Sequence, residues 1–527
     1  MIDDLLSGAS QLDADVCVIG SGAAGLSFAR EFLSGLTRVV VLESGGFTRE
    51  DQIDSLNRGE NVGVPNPGPD EGRIRTFGGT TDLWPGGCTP LTPLDFQERP
   101  WVPRSGWPIT RSDLEPYYVR AGDLLSVPVA EFRRDVWSVV GVPGPRFDPD
   151  LLSHCLTLFS PRPHRFFGRV MRRDFERSSN VRALLHATVT ELRTDPSGSN
   201  VESVQATALS GRSVTVTAKV FVLCAGGFEN ARLLLLSTAA ETAGVGNRHD
   251  LVGRFYQDHP HAKLATIRPR RPALLQEPYG VAFVGFPPRP RPYPKISLSP
   301  DLQRREEILN CAATVVWDVK GDSGELALLH LFRALRTSRT PILPRSEIGS
   351  ILRDLPGTAR FVARYVRGRA SITPPKSMWL LGGAEQAPNL DSRVTLSDQR
   401  DALGSPRVRL DWRLTELDHR TARTMAGAVR DAFRRQGLAE VDLPDWLQPG
   451  AEGWTSHVYG PFHPTGTTRM ASDPKRGVVD ANCRVHGVSN LFVAGSSVFP
   501  TSGYANPTFT IIALAIRLAD HVRSMLR

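Results

Sequence analysis

The chain has 527 residues, 40% hydrophobic and 22% charged, a globular composition long enough for two domains. It holds no apolar run of about 18 residues, so no membrane span is expected. The net charge of +8 is mostly arginine, and with no recognised binding module beside it, nucleic acid is set aside as a partner.

The first residues, MIDDLLSGASQLDADV, lack the basic and apolar regions of a secretory leader. Six scattered cysteines, with no CxxC pair, read as reduced core residues of a cytoplasmic protein; their spacing offers no metal site. DVCVIG then reads as a strand, SGAAGLSFAREFL as a helix and TRVVVLESGG as a second buried strand. Gly20, Gly22 and Gly25 give GxGxxG at the strand-to-helix turn, and Glu43 closes the second strand. In that context the glycines permit a tight turn, an approach to pyrophosphate and close helix packing. The carboxylate of Glu43 can accept from ribose hydroxyls, so the unit predicts dinucleotide binding.

RIRTFGGTTDLWPGGCT (73–89) offers a glycine-rich loop able to lie against a planar cofactor. The stretch 107–125 predicts a helix capped by Ser112 with Glu115 at its third position. Residues 126–178, irregular and rich in Pro and Arg, read as a crossing into a second domain. Strands are expected at 181–192, 201–208 and 213–227, the last turning at Ala225-Gly226 into a helix. LVGRFYQDHPHAKLATI (251–267) follows, and its His259 is read, like His457, as structural.

Beyond residue 268 strands are expected at 281–286, 310–319, 377–386, 393–397 and 407–414, and a helix at 415–437. Trp317 and Trp379 could stack on a sugar or fill the core. Between 331 and 370 lie nine arginines among apolar residues; the plain reading is a solvated helical face, the sharper one a membrane-surface or partner-docking face. The architecture expected is an α/β Rossmann-like nucleotide domain, discontinuous over 1–125, 179–267 and 451–527. An α+β domain with an antiparallel sheet and helices on one face would cover it, from 126–178 and 268–450.

Near the C-terminus, PFHPTGTTRM carries His463 and NLFVAGSSVFPTSGYANPTFT carries Asn506. Imidazole and amide make a proton-handling pair: the first titrates near neutral pH, the second cannot ionise.

Together VIGSGAAGLSFAREFL, TFGGTTDLW, CAGGFENARLLL, LVGRFYQDHP, AEQAPNLDSRVTLS, HPTGTTRM and LFVAGSSVFPTSGYANPTFT resemble the glucose–methanol–choline (GMC) oxidoreductases, FAD-dependent enzymes that oxidise alcohols. The resemblance is strongest to the pyranose-oxidase-like and bacterial sugar or polyol branch. It implies that His463 takes the hydroxyl proton beside the flavin, with Asn506 as its partner, while hydride passes to flavin N5. It implies FAD contacts at Gly20, Gly22, Gly25, Glu43, Gly79, Thr80, Val189, Ala225, Gly226, Gly495, Pro507 and Thr508. Relatives with covalently bound flavin carry histidine where this chain has Leu83, so dissociable FAD is expected. The substrate implied is a sugar, glycoside or aminoglycoside alcohol. For a cationic aminoglycoside Glu385 or Asp391 would supply cavity charge. The acceptor implied is oxygen or another oxidant; the alternative is a membrane-associated dehydrogenase feeding a quinone or cytochrome.

Overall fold

The computed structural model describes all residues except 8–9, 66–67, 281–289, 320–322, 326, 329–330, 332–344, 367–371 and 373. The strand expected at 281–286 and much of the arginine-rich stretch lie outside the described residues.

The N-terminal unit forms as its pattern dictates. Gln11–Ile19 lies between Val39–Leu42 and Ser213–Leu223, parallel to both, and its residues 16–19 are fully enclosed, which is why that segment is uniformly apolar. Val181–Leu185 and Ile2–Asp4 extend the parallel set on one side. Leu491–Val493 joins Ser213–Leu223 in parallel, so both ends of the chain meet in one sheet. Val201–Thr207 and Thr188–Thr194 add an antiparallel flank, making eight strands among the described residues. Helices Ala23–Arg30, Thr508–Met525 and Arg111–Leu125 pack in succession, joined by a Tyr118–Thr510 hydroxyl bond of 2.7 Å.

A second, antiparallel sheet runs in the order Ala439–Asp442, His261–Pro269, Pro375–Ala384, Cys311–Val319, Arg291–Leu298, Leu152–Phe159, Gly87–Cys88. Helix Glu416–Arg435 packs on it. Phe433 of that helix stacks on Phe147, which stacks on His154 at 4.8 Å; Trp137 closes on the same imidazole at 4.5 Å. Strand alternation therefore turns His154 toward the helical layer and its neighbour Cys155 away from it.

Three local readings change. The run 181–192 is two strands, broken where His186 takes φ 54° and its ring reaches Asp4 (2.7 Å) and Glu50 (3.0 Å). The helix at 111–125 is capped by Thr110 in a box with Asp113, not by Ser112; Glu115 instead pairs with Arg111 and Arg133. His261–Pro269 pairs with the antiparallel sheet, so the change of layer expected at 267 comes before 261, at the buried Gln257-Asp258-His259 segment.

Candidate active site

Gly20, Gly22, Glu43, Gly79, Thr80, Val189, Ala225, Gly226, His463, Gly495, Asn506, Pro507 and Thr508 all line one cavity of about 490 Å³, within the range of small-molecule and cofactor sites. Gly25 does not reach it. A Cβ there would lie 1.9 Å from the Gly20 carbonyl oxygen, so Gly25 serves helix–strand packing. A Cβ on Gly22 would meet nothing within 4 Å. Gly22 caps helix Ala23–Arg30 without a side-chain bond, leaving backbone N–H groups for a phosphate.

Glu43 is buried and accepts from the Ser21 N–H (3.0 Å), the Ser21 hydroxyl (2.6 Å) and the Gly45 N–H (2.9 Å), which pins its carboxylate at the cavity wall. Asn230 ties two cavity loops together: its Oδ1 accepts from the Ala225 N–H (2.8 Å), and its amide donates to the Ala494 carbonyl (3.2 Å). Arg73 and Arg75 also line the cavity beside Glu229. Burial opposes the Glu229 charge, but Arg75, Arg232 and Arg73 outweigh it and hold the carboxyl far below the usual range. The open Gly22, the uncapped helix and the fixed Glu43 fit the phosphates and ribose of the FAD expected from the sequence.

His463 lies at the other side of this cavity. Its Nε2 is 3.2 Å from Asn506 Nδ2, and its Nδ1 is 2.9 Å from His259 Nδ1. With the Asn506 amide donating, Nε2 must accept and carries no proton. The proton then sits on Nδ1 and is donated to His259 Nδ1. Burial drives the His463 imidazole well below its ordinary pKa, and the neighbouring His259, His261 and Lys295 lower it further. His259 is pushed to about 4, chiefly by burial.

Backbone geometry fixes the ring. Asp258 Oδ1 accepts from the His259 N–H (2.7 Å) and the His463 N–H (3.0 Å), and the Phe462 N–H also faces this carboxylate. Phe462 has φ 67°, a strained position for a bulky residue, and Asp258 holds the turn in place. The Asp258 N–H in turn donates to Gln386 Oε1 (2.9 Å), which also accepts from Trp412 (2.8 Å). Asp258, His259 and Gln386 were not picked out as site residues from sequence; the only signal was the polar QDHP run beside a strand. Asp258, His259 and His463 have metal-ligand chemistry, but the 2.9 Å ring contact is a direct hydrogen bond with no gap for an ion between those two nitrogens.

Other expected residues lie elsewhere. Glu385 is fully buried in a two-pronged pair with Arg99 (2.8 and 2.6 Å), and Asp391 sits on an exposed loop, so neither supplies cavity charge. Neither Trp317 nor Trp379 lines the cavity; Trp317 packs on the core, and Trp379 lies under Lys263. His457 stacks on Trp446.

The GMC oxidoreductase family profile matches residues 388–515. The chain is 23% identical over 591 aligned positions to the fructose dehydrogenase large subunit of Gluconobacter japonicus, covering 98% of this chain and 99% of that one. It is 26% identical to 6'''-hydroxyparomomycin C oxidase of Streptomyces lividus, covering 99% and 94%. Its fold is similar to that of pyridoxine 4-oxidase from Mesorbium loti, with a TM-score of 0.57 over 97% of this chain and 99% of that one, at 19% identity.

Proposed function

Because the chain belongs to the GMC oxidoreductases, FAD-dependent enzymes acting on CH–OH groups, we propose that it oxidises a sugar-type alcohol to a carbonyl with His463 as base. In this reading the parallel-centred sheet holds the cofactor and the antiparallel sheet holds the substrate. The observation that carries it is the His463 ring held in the cavity between Asn506, 3.2 Å from Nε2, and His259, 2.9 Å from Nδ1, an arrangement in which a donating Asn506 amide leaves Nε2 free of a proton. Nε2 takes the hydroxyl proton; the Asn506 amide holds the oxygen without competing for that proton. The resulting imidazolium keeps its Nδ1–H bond to His259, so charge forms without loss of a partner. When bound, FAD supplies the acceptor for the C–H hydride at N5. Helix Thr508–Met525 begins at the cavity, and its positive end favours negative charge there.

His463→Ala should still bind FAD yet bleach it far more slowly in anaerobic mixing with a sugar substrate; bleaching at the parent rate would sink the base assignment. Leu83 lines the cavity and cannot form a histidyl bond to flavin, which supports dissociable FAD. Acid precipitation should then leave the yellow colour in the supernatant.

The relatives' printed names include an oxidase and a dehydrogenase, and the acceptor in this reading is oxygen or another oxidant. The six cysteines, all unpaired, accord with a cytoplasmic setting. Among the described residues no helix is long and apolar enough to cross a membrane. One observation favours the dehydrogenase alternative: helices Arg345–Arg353 and Leu355–Val366 expose Leu352, Leu355 and Val366 among arginines. Sedimentation of the protein with anionic vesicles would support that reading, and failure to sediment would remove it.

A further inference from the structure

One wall of the cavity carries arginines on its outer side. Leu83, Trp84, Pro85 and Gly87 line the cavity. Behind them Arg165 is fastened to the same wall. Its Nη1 donates to the Pro85 carbonyl (2.5 Å), and its own carbonyl accepts from Trp84 Nε1 (2.8 Å). Three guanidiniums then surround one ring: Arg162, Arg165 and Arg169 lie 5.4, 4.9 and 4.9 Å from the centre of Phe166. Arg291 joins them through the antiparallel sheet. It lies 5.7 Å from the ring of its strand partner Phe159, which also pairs with Gly87 of the cavity wall. Burial, and after it the Arg162 and Arg291 charges, lower the pKa of Arg165, so these cations share one field.

Like charges gathered this closely repel one another. Among the described residues Asp82, 3.7 Å from Arg169, is the only carboxylate within ion-pair reach of Arg162, Arg165 or Arg169. Arg162 and Arg169 are exposed, and neither lines the cavity. The patch is therefore presented to a partner arriving from outside, not to a small ligand within. Such a field attracts and orients an acidic surface. Trp84 and Pro85 are what stands between that surface and the cavity.

We propose that this arginine patch docks an acidic electron-carrier protein, which takes up the electrons released by alcohol oxidation. This rests on the FAD-dependent reading of the site and names the acceptor which that reading leaves open. Each alcohol turned to a carbonyl releases two electrons and two protons. Two carriers accept one electron each, and the protons pass to solvent.

The probe is cytochrome c in two forms that share one haem: native, which is basic, and succinylated, which is acidic. The FAD-loaded enzyme is reduced anaerobically with stoichiometric dithionite and mixed with each form, so no alcohol is needed. At low salt the acidic form should be reduced about tenfold faster or more, and the advantage should shrink once the Debye length falls below about 10 Å. Arg162→Glu combined with Arg169→Glu should abolish the advantage. The same reversal at two other exposed cations, Arg435→Glu with Lys475→Glu, should leave most of it. Sedimentation velocity of the oxidised enzyme with succinylated cytochrome c should show a complex in the parent and none in the patch variant, without any turnover. Equal rates for the two forms in the parent would overturn the inference. So would equal losses in the two double variants, which would assign the effect to net charge. Ferricyanide, a small anion, is the third acceptor. If it alone depends on Arg162 and Arg169, the patch serves a small anion and the docking inference falls. Bleaching by alcohols is read separately. Patch-dependent reduction of the acidic cytochrome, without bleaching by any alcohol, would leave the docking surface standing and remove the oxidation reading.

Discussion

His259→Phe isolates the part of the site that decides which nitrogen of His463 is basic. Phenylalanine fills the ring volume but cannot accept the bond that His463 Nδ1–H makes at 2.9 Å. His463 is half-buried and its Nδ1 points at the buried His259, so the orphaned N–H costs about 1–3 kcal/mol. The imidazole can escape that cost by moving its proton to Nε2, but there it meets the Asn506 amide, also a donor, at 3.2 Å. Either way the base-competent tautomer is depleted, and at about 1.4 kcal/mol per decade flavin reduction should slow roughly 5- to 150-fold. The assay is anaerobic rapid mixing with a saturating substrate, following loss of the oxidised flavin band. His259→Gln restores an acceptor and should recover part of the rate. The pH dependence separates positioning from mere packing. In the parent, burial holds His463 well below its ordinary pKa, so the rate should stay level as pH falls through the usual imidazole range. A His259→Phe enzyme that reduces its flavin at the parent rate, with the same pH profile, would refute the tautomer argument.

Two further outcomes concern stability. Arg99→Met should destabilise by about 3–5 kcal/mol, because it leaves Glu385 buried beside Asp95 with its charge unpaired. The midpoint of urea unfolding should drop and return in large part when Glu385→Gln is added; a single variant within about 1 kcal/mol of the parent contradicts the pairing. Asp258 is raised to about 7, by burial first, against the backbone N–H bonds that favour its charge. A raised carboxyl favours folding in its protonated form, so its contribution is full below about pH 4 and lost as pH climbs through about 7. The parent should therefore lose stability relative to Asp258→Asn by as much as about 4 kcal/mol across that window, and parallel stability–pH curves would refute it.

The cofactor side of the site was legible because backbone geometry dictates its residues. At Gly20, with φ 99° and a Cβ position 2.8 Å from the Cys224 carbonyl, and at Gly25, only glycine fits. That demand is written in the sequence as a spacing, and one strand–turn–helix unit satisfies it. The helix cap was ambiguous for a definable reason. Thr110–Asp113 and Ser112–Glu115 both satisfy the cap pattern two residues apart, and only the capture of Glu115 by Arg111 and Arg133 decides between them. The break at His186 was hidden inside an apolar run, since the acids that hold its ring come from Asp4 and Glu50.

The substrate side resists such reading because it is made of side-chain encounters between distant strands. His259 meets His463 across 204 positions and Glu385 meets Arg99 across 286. Strand alternation alone gives two faces without saying which is covered. Read from sequence, Glu385 is therefore as available to a ligand as any acid at a strand end. Once Trp137 and Phe147 are seen to close on His154, the alternation acquires a direction. Every other residue of Arg291–Leu298 then shares the face of Cys155, away from the helical layer. Which residues share that face thus follows from the packing of the sheet's opposite face, a relation that becomes visible only when the strands are paired.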